Sequence, residues 1–115
     1  MLDDKLTSTL IALRQKYVAT LHDRQTQLAT HVLALCDEGF TQEGLSDLFY
    51  QVHNIVGVAP TYGLPRLGKL ATEAELLLSD IRDEDVISSE QEDDLIVAME
   101  ELVTEMGRIY TAQAA

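Results

Sequence analysis

The sequence predicts an all-α fold, an antiparallel up-down four-helix bundle with a bent N-terminal helix or an extra helix at that end. Apolar residues recur at steps of three and four along most of the chain, which is the spacing of helices that bury one face. No segment shows the strict alternation of a half-buried strand. Because the segments between the apolar stripes are short, consecutive helices are expected to lie antiparallel.

The first helical region is predicted from about residue 3 to residue 37, as one long helix or as two. A bend is expected between Tyr17 and Thr20. Gly39 is expected to follow the end of the region, because glycine readily adopts the backbone conformations that close a helix. The apolar stripe of this region comprises Leu6, Leu10, Leu13, Tyr17, Leu21, Leu28, Val32 and Leu35.

The second helix is predicted from about residue 41 to residue 61. Thr41 is a suitable N-cap, since its hydroxyl oxygen can accept a hydrogen bond from a first-turn amide. Pro60 has no amide hydrogen and clashes with the preceding turn, so the helix is expected to kink or end near it, and Gly63 suits the turn that follows. The face predicted to be buried carries Leu45, Leu48, Phe49, Val52, Val56 and Ala59.

Two further helices complete the predicted bundle. One runs from about residue 64 to residue 81 and has Pro65 in its first turn, where the missing amide hydrogen costs nothing. The acidic segment 82–85 is predicted to be a loop. The last helix runs from about residue 89 to residue 111, and Ser89 and Glu92 have the spacing of a capping box at its start. The buried residues are predicted to be Leu67, Leu70, Ala71, Ala74, Leu77, Leu78 and Ile81 in the first of these helices, and Leu95, Met99, Leu102, Met106 and Ile109 in the second.

The composition argues against several classes of function. The 115-residue chain has 8 Lys and Arg residues against 20 Asp and Glu residues, which gives a net charge of −12. Such a field repels phosphate backbones and anionic lipid headgroups, so neither nucleic acid nor a membrane surface is an expected partner. The single cysteine excludes an intramolecular disulfide bond, and no apolar run is long enough to span a bilayer. We expect residues 1–115 to form one complete cytoplasmic domain without a signal peptide.

Three histidines are the candidate functional side chains. His22 and His31 are nine residues apart, which does not match the three- or four-residue spacing of a helical metal site, so no metal site is predicted. His53 lies at the edge of the apolar face of the second helix and has Gly57 one turn later. A glycine within a helix costs about 1 kcal/mol relative to alanine. We therefore expect Gly57 to leave open surface beside His53, where another molecule can approach the helix backbone.

The run HNIVGVAPTYGLPRL at residues 53–67 resembles the signature of histidine-containing phosphotransfer (HPt) domains. In that signature, the histidine is followed by an apolar residue two places on, Gly at four, a small residue at six, an aromatic or aliphatic residue at nine, Gly at ten and Leu at fourteen. These places are held here by Ile55, Gly57, Ala59, Tyr62, Gly63 and Leu67. The resemblance continues through Leu70, Ala71 and Glu75.

The resemblance implies a phosphorelay intermediate. His53 would accept a phosphoryl group from an aspartyl phosphate on a receiver domain and pass it to another receiver. The expected partners are response-regulator receiver domains, a hybrid histidine kinase, or both. No cofactor is expected on this chain, since Mg²⁺ would be held by the receiver, and no ATP-binding or kinase motif is present. The receiver is expected to dock around the histidine, on the residues Val56, Gly57, Ala59, Tyr62 and Gly63.

Glu75 is the candidate partner of His53. In a hairpin that turns near residue 64, residues 53 and 75 are equally far from the turn and lie across from each other. A carboxylate there could accept a hydrogen bond from Nδ1–H of His53 and leave Nε2 as the nucleophile. The resemblance implies the same, because HPt domains often have Glu or Gln at this place. The alternative is that Glu75 is an ordinary acidic surface residue. Arg66 and Lys69 are the nearest downstream cations, and they either face the phosphoryl group or lie on a solvated surface.

One departure from the HPt pattern leaves an alternative open. Many HPt domains have a lysine three residues after the histidine, and this chain has Val56 there. The alternative function is therefore a catalytically silent HPt-like module that docks on a receiver or kinase without phosphotransfer. A third interpretation, an unrelated helical bundle with a structural histidine, gives no reason for the positions of Gly57 and Gly63.

Overall fold

The computed structural model describes residues 2–114, with side chains from residue 3 to residue 113, and this part of the chain contains helices and no strand. The helices are α1 (Leu2–Ala19), α2 (Leu21–Glu38), α3 (Gln42–Val58), α4 (Pro65–Ile81) and α5 (Ser89–Ala114). Helices α2 to α5 pack as the bundle, and α1 extends α2 at the N-terminal end. The predicted all-α bundle is confirmed. No helix in this range is long and apolar enough to cross a membrane.

Thr20 separates α1 from α2 within the segment where a bend was expected. Its hydroxyl donates to the carbonyl oxygen of Tyr17 at 2.6 Å, and its amide donates to the same oxygen at 2.9 Å. These bonds tighten the chain for one turn without reversing it. The longest axis of the molecule, 56 Å, matches the length of about 55 Å that α1 and α2 would have end to end at 1.5 Å per residue.

The predicted burial of the first apolar stripe is correct only for its C-terminal part. Tyr17, Leu21, Leu28 and Leu35 are buried, whereas Leu6, Leu10 and Leu13 are 41–61% exposed. The physical reason is the length of the neighbouring helix. Gln113 near the end of α5 donates to the carbonyl oxygen of Gln15, so the residues of α1 before Gln15 project beyond α5.

The helix ends before and after α3 follow from local backbone chemistry. Gly39 has φ of 115° and follows α2 at the predicted place. Thr41 accepts a hydrogen bond from the amide of Gly44 at 3.0 Å, as predicted for an N-cap. Helix α3 ends at Val58, three residues before the expected position, because Pro60 follows. Residues 59–63 form a tight turn in which Gly63 has φ of 67°.

The capping box of α5 lies one residue earlier than predicted. The amide of Gln91 donates to the hydroxyl oxygen of Ser88 at 3.1 Å, and the amide of Ser88 donates to the side-chain oxygen of Gln91 at 2.9 Å. The predicted pair, Ser89 and Glu92, lies inside the helix. Two serines and two acceptors follow one another here, and the amide of Glu92 bonds to the carbonyl oxygen of Ser88, which makes Ser88 the N-cap.

The core holds α3 and α4 together as a close hairpin. At Gly68 of α4, an added Cβ would lie 3.5 Å from the Cβ of Ala59, which directly follows α3, so two small residues allow a near approach here. The buried apolar residues from the three predicted stripes of the bundle include Leu45, Leu48, Val52, Ala59, Leu67, Leu70, Ala71, Ala74, Leu78, Ile81, Leu95, Met99, Leu102, Met106 and Ile109.

Candidate functional site

His53 lies on α3 opposite Glu75 of α4, as the register of the hairpin requires. Val52 and Ile55 on either side of it are buried and hold this turn of α3 against the core. The histidine side chain itself is 60% exposed. Its Nδ1 atom lies 2.7 Å from Oε2 of Glu75, whose side chain is 23% exposed. The site therefore combines an accessible imidazole with a partly shielded carboxylate.

The contact with Glu75 decides which nitrogen of His53 carries the proton. An ionised carboxylate has no hydrogen to donate, so at 2.7 Å the imidazole Nδ1 must be the donor. In the neutral ring the lone pair then belongs to Nε2. The arrangement leaves Nε2 as a nucleophile and places a negative charge where it can stabilise a positive charge on the ring.

The imidazole also has an aromatic neighbour that the sequence analysis assigned only to the core. The rings of Phe49 and His53 are stacked, with centroids 5.7 Å apart and an angle of 11° between their planes. The guanidinium carbon of Arg82 lies 3.8 Å from the centroid of Phe49. Two spacings in the sequence are compatible with this cluster, since Phe49 precedes His53 by one turn and Arg82 follows Glu75 by two turns.

Gly57 faces open space beside His53. An added Cβ at this position would meet no atom within 4 Å from the rest of the described chain, beyond its neighbours and the backbone of its own helix, so packing there does not require a glycine. Beside it, a groove of about 590 Å³ runs between α3 and α4. The groove is lined by Val56, Pro60, Gly63, Leu64, Pro65, Gly68, Lys69 and Thr72. Three of the five expected docking residues, Val56, Gly57 and Gly63, are thus accessible on the histidine side of the hairpin or in this groove.

The structure places the other two expected docking residues elsewhere. Ala59 is fully buried against Gly68, so it cannot touch a partner, and its small side chain serves the packing of α3 on α4. Tyr62 is half-buried and stacks on Tyr17 of α1 with ring centroids 5.3 Å apart. Its carbonyl oxygen accepts a hydrogen bond from Nε of Arg14 at 3.0 Å. Tyr62 therefore anchors the turn to α1.

The two expected phosphate-side cations point in different directions. Nε of Arg66 lies 3.4 Å from Glu105, a carboxylate on α5 that is only 4% exposed and is also bound by Arg108. Arg66 is therefore turned towards α5 and is held away from the histidine face. Lys69 is exposed and lines the groove between α3 and α4. Glu105 could not be identified from the sequence, because its burial depends on how α4 and α5 pack.

The remaining histidines belong to other parts of the surface. His22 stacks on Tyr110 with ring centroids 5.2 Å apart, and Nδ1 of His31 lies 3.0 Å from the amide nitrogen of Gln51. Among the described residues, no three His, Cys, Asp or Glu side chains are grouped in a way that could hold a metal ion. His53 is thus distinguished from the other two by its carboxylate partner.

Comparison with known proteins agrees with this arrangement. A family model described as the Hpt domain matches residues 12–109, which is most of the chain. That span contains all of α2, α3 and α4 and most of α5. No curated protein and no solved structure matched the chain.

Proposed function

The chain belongs to the Hpt domain family, and we propose from this premise that it is a phosphorelay carrier that uses His53 as its phosphoacceptor. Hpt domains act in histidine-containing phosphotransfer and are carriers, without kinase activity of their own. The observation that carries the proposal is the 2.7 Å contact between Nδ1 of His53 and Glu75, because it leaves Nε2 unprotonated on an exposed side chain.

The proposed reaction is an in-line phosphoryl transfer between two proteins. Nε2 attacks the phosphorus of an aspartyl phosphate on a receiver domain, the bond from phosphorus to the aspartate oxygen breaks, and its electron pair stays on the aspartate carboxylate. The ring keeps its Nδ1 proton and becomes positively charged, which Glu75 stabilises. Transfer to a second receiver is the reverse reaction. Mg²⁺ is assigned to the receiver, and no cofactor is assigned to this chain.

The proposed receiver-docking surface is the exposed part of the hairpin around His53. Gly57 supports this assignment, since it leaves room beside the histidine that none of the described residues occupies. Val56 and Gly63 continue the surface into the groove between α3 and α4. A receiver domain on a response regulator or a hybrid histidine kinase is the proposed partner, and the cytoplasm is the proposed setting.

Transfer of radiolabelled phosphate from a panel of phosphorylated receiver domains tests the proposal. We expect label on the wild-type chain and none on His53→Gln, with the acid lability and base stability of phosphohistidine. His22→Gln and His31→Gln are matched controls and should accept label like the wild type. Circular dichroism checks that each variant keeps its helices.

The main alternative is a silent docking module, which the valine at position 56 favours. In that case no receiver would label the wild type, and a receiver would bind the wild type and His53→Gln with equal affinity. Label on His53→Gln at the wild-type level would also contradict the proposal, because the acceptor would then be another residue.

A further inference from the structure

The proposed site needs a positive charge, and α3, the helix that carries His53, does not supply one. A phosphoryl group on His53 would bring up to two negative charges close to the carboxylate of Glu75, in a chain whose net charge is already −12. Phosphoryl transfer depends mainly on positioning and on stabilisation of charge by cations. Position 56, one turn from His53, is a valine. A cation from α4 or its C-terminal end is therefore the remaining source within the hairpin.

Three basic residues are candidates, and helix geometry separates them. Arg66 is bound to Glu105 on the α5 side of α4. Lys69 precedes Glu75 by six residues, which rotates it by about 120° around the helix axis. Arg82 follows Glu75 by seven residues, or about two turns, and continues the same face. Within the described residues, Arg82 makes no ion pair.

The orientation of the imidazole also favours Arg82. Side chains on a helix lean towards its N-terminus, and the His53 ring accordingly lies against Phe49, one turn earlier in α3. The guanidinium of Arg82 lies on the ring of Phe49. The Phe49 centroid lies 5.7 Å from the imidazole centroid and 3.8 Å from the guanidinium carbon of Arg82. The sum of these two distances is therefore the largest possible separation between the imidazole and the guanidinium carbon. A phosphoryl group on the imidazole is therefore within reach of a side-chain rotation of Arg82.

Resting on the proposed function, we infer that Arg82 is the cation that contacts the phosphoryl group of phosphorylated His53. In the unphosphorylated chain its guanidinium is held on the face of Phe49. When the phosphoryl group is present, the guanidinium donates two N–H groups to two phosphoryl oxygens, the bidentate geometry that arginine offers to phosphates. Arg82 thereby takes the part of the lysine that many HPt domains have on the histidine helix.

Nuclear magnetic resonance of the arginine Nε–Hε groups tests the contact directly. Phosphoramidate serves as a donor that needs no partner protein: Nε2 bonds to its phosphorus, the phosphorus–nitrogen bond of the reagent breaks, and ammonia leaves. We expect the Arg82 resonance, assigned by its loss in Arg82→Lys, to move downfield on phosphorylation. The resonances of Arg24 and Arg66 should stay in place. An unmoved Arg82 resonance on fully phosphorylated protein would overturn the inference.

The phosphotransfer equilibrium with a receiver domain provides the second measurement. Arg82→Gln should shift the equilibrium at least threefold towards the phosphorylated receiver, and Phe49→Leu should shift it less. Lys69→Gln is the comparison variant, since it removes one positive charge from the groove of the proposed docking surface, and it should shift the equilibrium less than Arg82→Gln does. An equal or larger effect of Lys69→Gln would contradict the assignment to Arg82.

The two proposals fail in different ways. If neither phosphoramidate nor any receiver phosphorylates His53 of the wild type, the proposed function itself is wrong. If His53 is phosphorylated normally and Arg82→Gln changes neither the equilibrium nor the spectrum, the carrier function stands and only the role of Arg82 is wrong. Circular dichroism of Arg82→Gln and Lys69→Gln separates both outcomes from unfolding.

Discussion

Two neighbours constrain different properties of His53. Glu75 determines the tautomer, because a carboxylate can only accept the hydrogen bond from Nδ1. Phe49 packs beside the ring, with the two planes only 11° apart. The nucleophilic atom that remains, Nε2, is thus defined in its protonation and restrained in its direction. A side chain that is 60% exposed would otherwise sample several rotamers and both tautomers.

Substitution of Glu75 should slow phosphotransfer without unfolding the bundle. We expect Glu75→Ala to lower the rate of phosphoryl transfer to His53 about tenfold or more, the loss associated with one hydrogen bond to a charged group. Glu75→Gln should fall between Ala and the wild type, because its amide oxygen still accepts from Nδ1 but carries no negative charge. Single-turnover transfer from a phosphorylated receiver measures these rates.

Glu73 provides the matched control for this comparison. It lies on α4 two residues earlier, is exposed, and has no contact with the histidine among the described side chains. Glu73→Ala should transfer phosphate at the wild-type rate. If Glu75→Ala also kept the wild-type rate, the carboxylate would have no part in selecting the tautomer.

At the scale of helices, the α3–α4 hairpin shows what sequence patterns predict well. Gly63 and Pro65 bracket the turn, and a register counted from that turn already placed residue 75 opposite residue 53. The direction of a long side chain could not be obtained in this way. Arg66 bends towards Glu105 and Arg82 lies on Phe49, and both choices depend on the three-dimensional neighbours of each helix.

Glu105 ties the first turn of α4 to α5. It accepts a hydrogen bond from Nε of Arg108 at 2.7 Å and lies 3.4 Å from Nε of Arg66. The hydrogen bond from Arg108 is the main reason that the pKa of the Glu105 carboxyl lies below its ordinary value of 4.5, in spite of burial, which acts in the opposite direction. The charged form is therefore favoured in the folded chain.

The lowered pKa of Glu105 predicts a dependence of stability on acid pH. A carboxyl whose pKa is lower when folded stabilises the protein fully above the unfolded pKa, and that contribution is lost as the pH falls below 4.5 through the folded pKa. Glu105→Gln should lack this part of the acid destabilisation and should be about 1–2 kcal/mol less stable at pH 7. Urea unfolding at several pH values measures both effects.

Glu101→Gln is the control for this prediction, since Glu101 lies one turn earlier on α5 and is exposed. It should change stability by less than about 0.5 kcal/mol at every pH. Parallel pH profiles for Glu105→Gln and the wild type would mean that the pair with Arg108 contributes nothing to the acid transition.

At the scale of the whole molecule, α1 departs most from what its sequence suggests. Its leucines have helical spacing, and spacing alone cannot show whether a neighbouring helix is long enough to cover them. All residues from 3 to 16 are exposed, whereas Tyr17 and Val18 are buried. The boundary between an overhanging helix and a packed one therefore lies near Tyr17, where α1 meets the turn after α3.

Truncation of α1 tests this boundary. A chain that starts at Ile11 should lose helical signal but less than about 1 kcal/mol of unfolding free energy, because the removed side chains bury little apolar surface. Tyr17→Ala should cost about 3 kcal/mol, as expected for a buried aromatic side chain. Denaturant unfolding gives both values. A truncation that costs as much as Tyr17→Ala would show that the overhang is part of the cooperative core.

Because the site lies within one hairpin, its geometry forms from residues that are close together in the sequence. Phe49, His53, Glu75 and Arg82 all lie on α3, on α4 or at its C-terminal end, and the hydrogen-bonded pair is separated by only 22 positions along the chain. Such short-range closure costs little chain entropy and forms quickly. The reactive geometry therefore depends on contacts between neighbouring elements of the chain. Substitutions in α1 and α5 should alter the lifetime of the folded state while the chemistry of the hairpin stays the same.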